Sequence, residues 1–339
     1  MIRPGNRFWV GVAASAAFLT VACGHDSPRT DSAPAAAASP TAGAGQSNAR
    51  IAVVGPEDVA PPTSQTGGFD GAKAYEFTAK VVEFGPRPPT SDALHKTQDY
   101  IRLQLQSFGC ARDEDDFHAS TPIGSLAMRN IIAKVQGEGK GIFLLLTHYD
   151  TLRMDRFVGA VDGGSSTGLM LEMARLLCSG GARKQPNSVW IGFLDGEEAL
   201  VNWHQDNDNT YGSRELAARL AASGDLKRIH AVILADLIGP KNPKFRRDSN
   251  STRWLTDLVW RTAARLGYRD IFVPDELAVD DDHLAFINRS VPAVDIIDLN
   301  DFTYWHTTED KMDKVSPRTL GIAGHVILES VIELQKKFH

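Results

Sequence analysis

Four apolar runs in this 339-residue chain each lead to a side chain that can bind a metal or move a proton. Ile142-Phe143-Leu144-Leu145-Leu146 leads into Thr147-His148-Tyr149-Asp150. Val189-Trp190-Ile191-Gly192-Phe193-Leu194 leads into Asp195-Gly196-Glu197-Glu198, and Ala231-Val232-Ile233-Leu234-Ala235 leads into Asp236. Val291-Pro292-Ala293-Val294 opens the stretch that reaches Trp305-His306. Short apolar runs bounded by Gly and polar residues read as buried strands. In open α/β sheets the ligand site lies beyond the carboxyl ends of the strands. Residues distant in sequence are therefore expected to converge on one cleft. Histidines with carboxylates are ligand types of a catalytic zinc, which keeps one coordination position open.

Helical spacing fills the intervals between these runs. Helices are expected over 70–82, 91–108, 214–222 and 254–266. Leu169, Met173, Leu176 and Leu177 fall on one face of another helix, with Ser165 or Ser166 as its cap. Leu320, Ala323, Val326, Ile327, Val331 and Leu334 give the last helix a buried stripe. Residues 128–135 and 141–147 read as successive strands. Alternating strands and helices predict an α/β fold, with a central mixed, mostly parallel sheet flanked by helices on both faces. Residues 67–339 are expected to form one domain.

The N-terminal residues read differently. Arg3 and Arg7 precede an apolar stretch, 8–22, as in a secretory signal. Leu19-Thr20-Val21-Ala22-Cys23-Gly24 is similar to a bacterial lipoprotein cleavage box, with Cys23 acylated; a plain signal peptide with an incidental Cys is the simpler alternative. Residues 24–66, rich in Ala, Pro and Ser, are too polar to offset ordering entropy and read as a disordered tether. The expectation is an exported chain, lipid-anchored to a bacterial membrane, periplasmic or at the cell surface. The membrane is reached only through Cys23, and the chain is expected to be a monomer. Net charge is −6 with no Lys/Arg block, which argues against a nucleic-acid partner. Cys110 and Cys178 either pair or stay as two buried thiols; sequence leaves both open.

Each candidate motif is ambiguous by itself. Glu197 and Glu198 form a pair common on solvated surfaces, yet here they follow a buried strand. One could bind a metal while the other carries a proton. Asp162 sits in the Gly-rich turn Gly159-Ala160-Val161-Asp162-Gly163-Gly164 and could equally cap that turn. His148 with Asp150 fits a ligand and the carboxylate that orients it. Asp236, at a strand end, needs a partner or a metal if buried. Asp280-Asp281-Asp282-His283 could be catalytic or merely cap a short helix.

Taken together, His148-Tyr149-Asp150, Gly159-Ala160-Val161-Asp162, Asp195-Gly196-Glu197-Glu198, Tyr211-Gly212-Ser213-Arg214, Asp236 and Trp305-His306 resemble the zinc-dependent aminopeptidase-type exopeptidases. The order and spacing match from Pro86-Arg87-Pro88 to the last helix. Phe193-Leu194-Asp195-Gly196-Glu197-Glu198-Ala199 with Trp203, Leu234-Ala235-Asp236-Leu237-Ile238-Gly239, Asp281-Asp282-His283 and Trp305-His306-Thr307 are similar to the glutaminyl cyclases in particular. That resemblance implies one zinc on Asp162, Glu198 and His306. It implies Glu197 as proton carrier in a hydrogen-bonded acidic network with Asp236 and Asp282. It implies Trp203 and Trp305 as pocket walls, and peptides or proteins with N-terminal Gln as substrates. A two-zinc aminopeptidase, using His148 and Asp236 for a second metal, is the alternative; a non-catalytic peptide-binding lipoprotein is a third reading. Residues 203–210 depart from the pattern in a polar loop, which leaves the pocket rim undefined.

Overall fold

A computed structural model describes residues 56–179, 185–205, 207–299 and 303–339. The signal segment, Cys23 and the tether as far as residue 55 lie outside the described residues. The ordered body starts before the expected boundary at Gly67. Pro56–Asp58 and Thr63–Gln65 form short 3-10 turns. Asp58 lies 3.1 Å from Lys241 Nζ, and buried Thr66 donates its hydroxyl to the Phe69 carbonyl at 2.6 Å. A few polar anchors in an Ala/Pro-rich tract carry too little compositional signal to be read from sequence.

The helices start where the local chemistry allows. Asp70 accepts from Ala72 and Lys73 to cap α1, Gly71–Glu83, and Ser91 caps α2, Asp92–Ser107. α3, Ser166–Ser179, begins differently. It continues from a π-type turn, Ala160–Ser165, and both serines expected as caps donate backwards, to the Val161 and Gly163 carbonyls. The remaining helices are α4 Tyr211–Ser223, α5 Arg253–Arg265, α6 Leu284–Ile287 and α7 Pro317–Lys337.

The main sheet contains β1 Ala111–Thr121, β2 Gly124–Val135, β3 Ile142–His148, β4 Ser188–Leu194, β5 Ile229–Asp236 and β8 Ala293–Ile297. Their order is β1-β2-β4-β3-β5-β8. β4, β3, β5 and β8 are parallel, and the antiparallel β1–β2 hairpin joins through β2. The sheet is mixed and mostly parallel, as expected. β1 was not legible in sequence because it is a charged edge strand, tied to β2 by pairs such as Lys134–Asp113 at 3.0 Å. The short parallel pair β6 Phe245–Asp248 and β7 Phe272–Leu277 also went unread, having too few apolar residues.

β3 is buried on both faces. Phe143 and Leu145 enter one core with residues of α1, α3, α5 and α7. Ile142, Leu144 and Leu146 enter the other with residues of α4 and α6. Burying each such side chain contributes about 1.5–3 kcal/mol. Cys110 and Cys178 form a disulfide, with Cα atoms 5.2 Å apart, fastening the end of α3 to the start of the hairpin. Parallel strands flanked on both faces leave one free end for a site: the carboxyl ends at His148, Leu194, Asp236 and Ile297.

Candidate metal centre and substrate pocket

Three strand ends and two loops bring the predicted residues together. His148 ends β3. Its Nε2 lies 3.0 Å from Asp236 Oδ1, at the end of β5, and 3.3 Å from Asp162 Oδ1. Asp162 Oδ2 lies 3.3 Å from His306 Nε2, which is 3.4 Å from Glu198 Oε1. Asp162 thus joins two groups, His148–Asp162–Asp236 and Asp162–Glu198–His306, and within each the potential ligand atoms lie within 4.8 Å of one another.

The backbone around them is held from outside. Gly163 has φ +70°, and a Cβ there would meet the Asp150 carbonyl at 2.7 Å and His148 Cε1 at 3.0 Å, so glycine is required. The Asp150 carboxylate accepts the Glu197 and Glu198 amides at 3.1 and 3.2 Å. Its distance to His148 Nδ1 is longer, 3.5 Å, so it braces the Glu197–Glu198 turn besides orienting the imidazole. Two further supports escaped sequence reasoning. Asp310 accepts the amides of Val161 and Asp162 at 2.8 and 3.0 Å. Arg87, fully buried, donates to the carbonyls of Tyr149, Val158, Gly159 and Gly85. An Arg between prolines was the only available hint for Arg87; Asp310, in a polar loop, gave none. Leu237 and His306 adopt left-handed φ of 43° and 51°, the kind of backbone strain that clusters at functional sites.

The electrostatics are those of crowded acids. Burial, then Asp162, pushes Glu198 up to about 7. Burial, then Glu198, Asp281 and Asp282, holds Glu197 well above the usual carboxylate range, against the pull of His148. Burial would lower His306, but Asp162 and Glu198 raise it to about 10. Burial would likewise lower His148; Asp236, Glu197, Asp150 and Asp162 together raise it well above its ordinary value. A bound cation would offset this field. Among the described residues buried Glu198 Oε1 has only the 3.4 Å approach of His306 Nε2, and two carboxylates with an imidazole suit zinc. The residues fit the metal.

Asp236 meets its predicted neighbourhood, but the expected hydrogen-bonded network does not form as drawn. Among the described residues Asp282 makes no hydrogen bond to Glu197; they couple through charge. Asp282 is fully buried and does not line the pocket; Asp281 lines it instead. That cavity is about 660 Å³ and is lined by Asp162, Glu197, Glu198, Asp236 and His306 at its base, with Trp203 and Trp305 on its walls. The Trp305 and His306 rings lie 4.3 Å apart.

Strand-end carboxylates and histidines around a cavity, on a mostly parallel sheet, define a metal-dependent exopeptidase-type scaffold. The chain belongs to peptidase family M28, whose sequence pattern matches residues 130–331. The chain is 30% identical over 284 residues to the glutaminyl-peptide cyclotransferase of Bothrops jararaca, covering 73% of this chain and 77% of that one. Its fold matches an Acidobacteriales bacterium glutaminyl cyclase with TM-score 0.75 and 38% identity, over 79% of this chain and 96% of that one. A leucine aminopeptidase precursor from Bacteroides thetaiotaomicron matches with TM-score 0.71 and 28% identity, over 78% and 97%.

Proposed function

We infer that this chain is a zinc-dependent glutaminyl-peptide cyclotransferase, converting the N-terminal Gln of peptides to pyroglutamate with release of ammonia. The observation that carries this reading is the Asp162–Glu198–His306 group opening onto the tryptophan-walled cavity with Glu197 beside it. The similarity to named cyclotransferases supports it.

Asp162, Glu198 and His306 would hold one zinc, which when bound supplies Lewis-acid polarisation of the γ-carboxamide oxygen. Glu197 would take a proton from the substrate's α-amine as that nitrogen bonds to the carbonyl carbon of the γ-carboxamide, Cδ, whose bond to the amide nitrogen then breaks. It would return the proton to the nitrogen that leaves as ammonia. A carboxyl whose pKa is raised by burial and neighbouring acids is suited to both steps. Ring closure is intramolecular, so Trp203 and Trp305 chiefly hold the folded conformer and exclude water. Asp236 is bonded to His148, and burial raises Asp281 and Asp282, so these crowded acids would keep a proton near Glu197 because they cannot all ionise.

The His148–Asp162–Asp236 group favours one second reading, a two-zinc aminopeptidase. Incubation with a Gln-peptide and a Leu-peptide separates them. Ammonia loss from the first and an intact second are expected. Release of Leu with the Gln-peptide unchanged would overturn the cyclase reading.

The setting is part of the same proposal: a monomeric exported enzyme, anchored through lipid on Cys23 and acting in the periplasm or at the cell surface on peptides or proteins. The cleavage-box sequence supports export, and the Cys110–Cys178 disulfide fits an oxidising compartment.

A further inference from the structure

The polar loop that departs from the family pattern is folded around one carboxylate. Asp208 is fully buried. Its Oδ1 accepts the Leu200 amide at 3.2 Å and the Tyr211 hydroxyl at 2.8 Å. Its Oδ2 accepts the Val201 and Asn202 amides at 2.7 and 2.9 Å. Three successive backbone N–H groups and a phenol thus converge on one anion, as in an anion nest. Both oxygens are satisfied, each by two donors.

The residues so gathered are the pocket wall. Ala199, Leu200, Val201, Trp203 and His204 all line the cavity. Asn209, beside Asp208, donates its side-chain amide to the Trp203 carbonyl at 2.7 Å. The chain then returns to the catalytic turn: Thr210 donates its amide to the Glu197 carbonyl at 2.7 Å and Tyr211 to that of Gly196 at 2.8 Å. Arg214 fastens the far side through the Asn207 and Asn209 carbonyls. Leu200 packs with Met128, Ala119 and Tyr211, but Val201 is 64% exposed, so apolar packing anchors only the start of this segment.

We propose that Asp208 is a positioning residue for substrate binding, fixing the Trp203 wall against the Glu197–Glu198 turn. It touches neither metal ligands nor substrate. The proposal rests on the cyclotransferase reading for its substrate, but its geometry does not depend on it.

Asp208→Asn is the decisive variant. An amide in either orientation turns one NH₂ toward two donors. The expected result is a KM for Gln-peptide raised roughly tenfold or more, with kcat within about threefold. Zinc content should be unchanged, and limited proteolysis within 200–209 should be faster. An unchanged KM, or a fall in kcat with KM unaltered, overturns the proposal; so does a loss of thermal stability with both constants preserved. Should Asp208→Asn fail to fold, Asn209→Ala and Tyr211→Phe remove single ties, and each should raise KM by a smaller factor; wild-type values in both overturn the proposal. Wild-type protein that leaves Gln-peptide untouched refutes the cyclase reading instead, and proteolysis of Asp208→Asn then decides whether Asp208 holds the loop.

Discussion

The two groups that share Asp162 differ in access, and that difference separates a brace from a reaction site. His148–Asp162–Asp236 is the more closed: Asp162 and Asp236 reach the cavity base, but His148 is buried, with Asp150, Asp162, Glu197 and Asp236 all within 3.8 Å of its ring nitrogens. Asp162–Glu198–His306 is open, because the His306 side chain is 31% exposed and faces the cavity. The closed group takes His148 and Asp236 from strand ends. The open one takes His306 from the loop after β8. A catalytic zinc needs an open position, so the proposed reaction is assigned to the second group. The first surrounds His148 with carboxylates, which raise it well above its ordinary value against the effect of burial.

Metal content is the largest test of that contrast. Chelation should abolish ammonia release from Gln-peptide, and zinc should restore it at one ion per chain by elemental analysis. His306→Ala should lose that ion, whereas His148→Asn should keep it with affinity weakened by roughly 10–100-fold, the usual cost of losing an outer partner. Two ions in the wild type would break the distinction between the groups. Next in size is Glu197→Gln. Turnover should fall by about 10²–10⁴-fold with zinc retained. Near-normal turnover in a zinc-loaded variant would remove Glu197 as proton carrier.

Much of the closed group was legible in sequence, and the reason is physical. A strand buried on both faces must be largely apolar, so Thr147-His148 and Asp236 stand out as the polar residues at the carboxyl ends of β3 and β5. Asp162 was legible from glycines that the turn sterically requires. His306 and Asp282 sit in loops with no periodicity; their motifs were candidates from the residues alone, but their roles came only from the family resemblance. The supports around the site were hidden for a different reason. Asp310, Arg87 and Asp208 act on backbone groups of distant or irregular segments, and such bonds leave no pattern in composition. The same holds for β1, whose charged face reads as loop until its pairing with β2 is seen.

A smaller effect is expected from the pocket wall. Trp305 is 41% exposed, with its ring against His306. Trp305→Ala should raise KM for Gln-peptide by about three- to tenfold, in keeping with roughly 0.5–1.5 kcal/mol for an aromatic contact. Zinc stoichiometry should not change. Loss of zinc instead would mean that Trp305 serves the open group by holding His306 and not by contacting substrate.

The smallest effect, and the one that probes both groups together, is the pH dependence of the metal-free protein. Burial, ahead of charge repulsion, raises Glu198, Asp282 and Asp310 each to about 7. Between the ordinary carboxylate range and about 7, the native chain therefore binds more protons than the unfolded chain. Its stability should fall as pH rises through that window. His306, raised to about 10, acts in the same direction: its contribution is full below the ordinary histidine value and is lost as pH climbs through 10. Asp162 has the opposite sign, since His148 and His306 hold it low against burial, but its window lies below the ordinary carboxylate range. Thermal melts of the metal-free protein at about pH 5.5 and about pH 8 should show the higher Tm at the lower pH. Zinc must displace protons from Glu198 and His306, so its stabilising effect should be larger at the higher pH. Asp282 and Asp310 bind no metal, and a residual slope of the same sign should persist in the loaded protein. A metal-free Tm that is flat or rises over this interval would mean that the carboxylates are not held together as tightly as their burial and separations require.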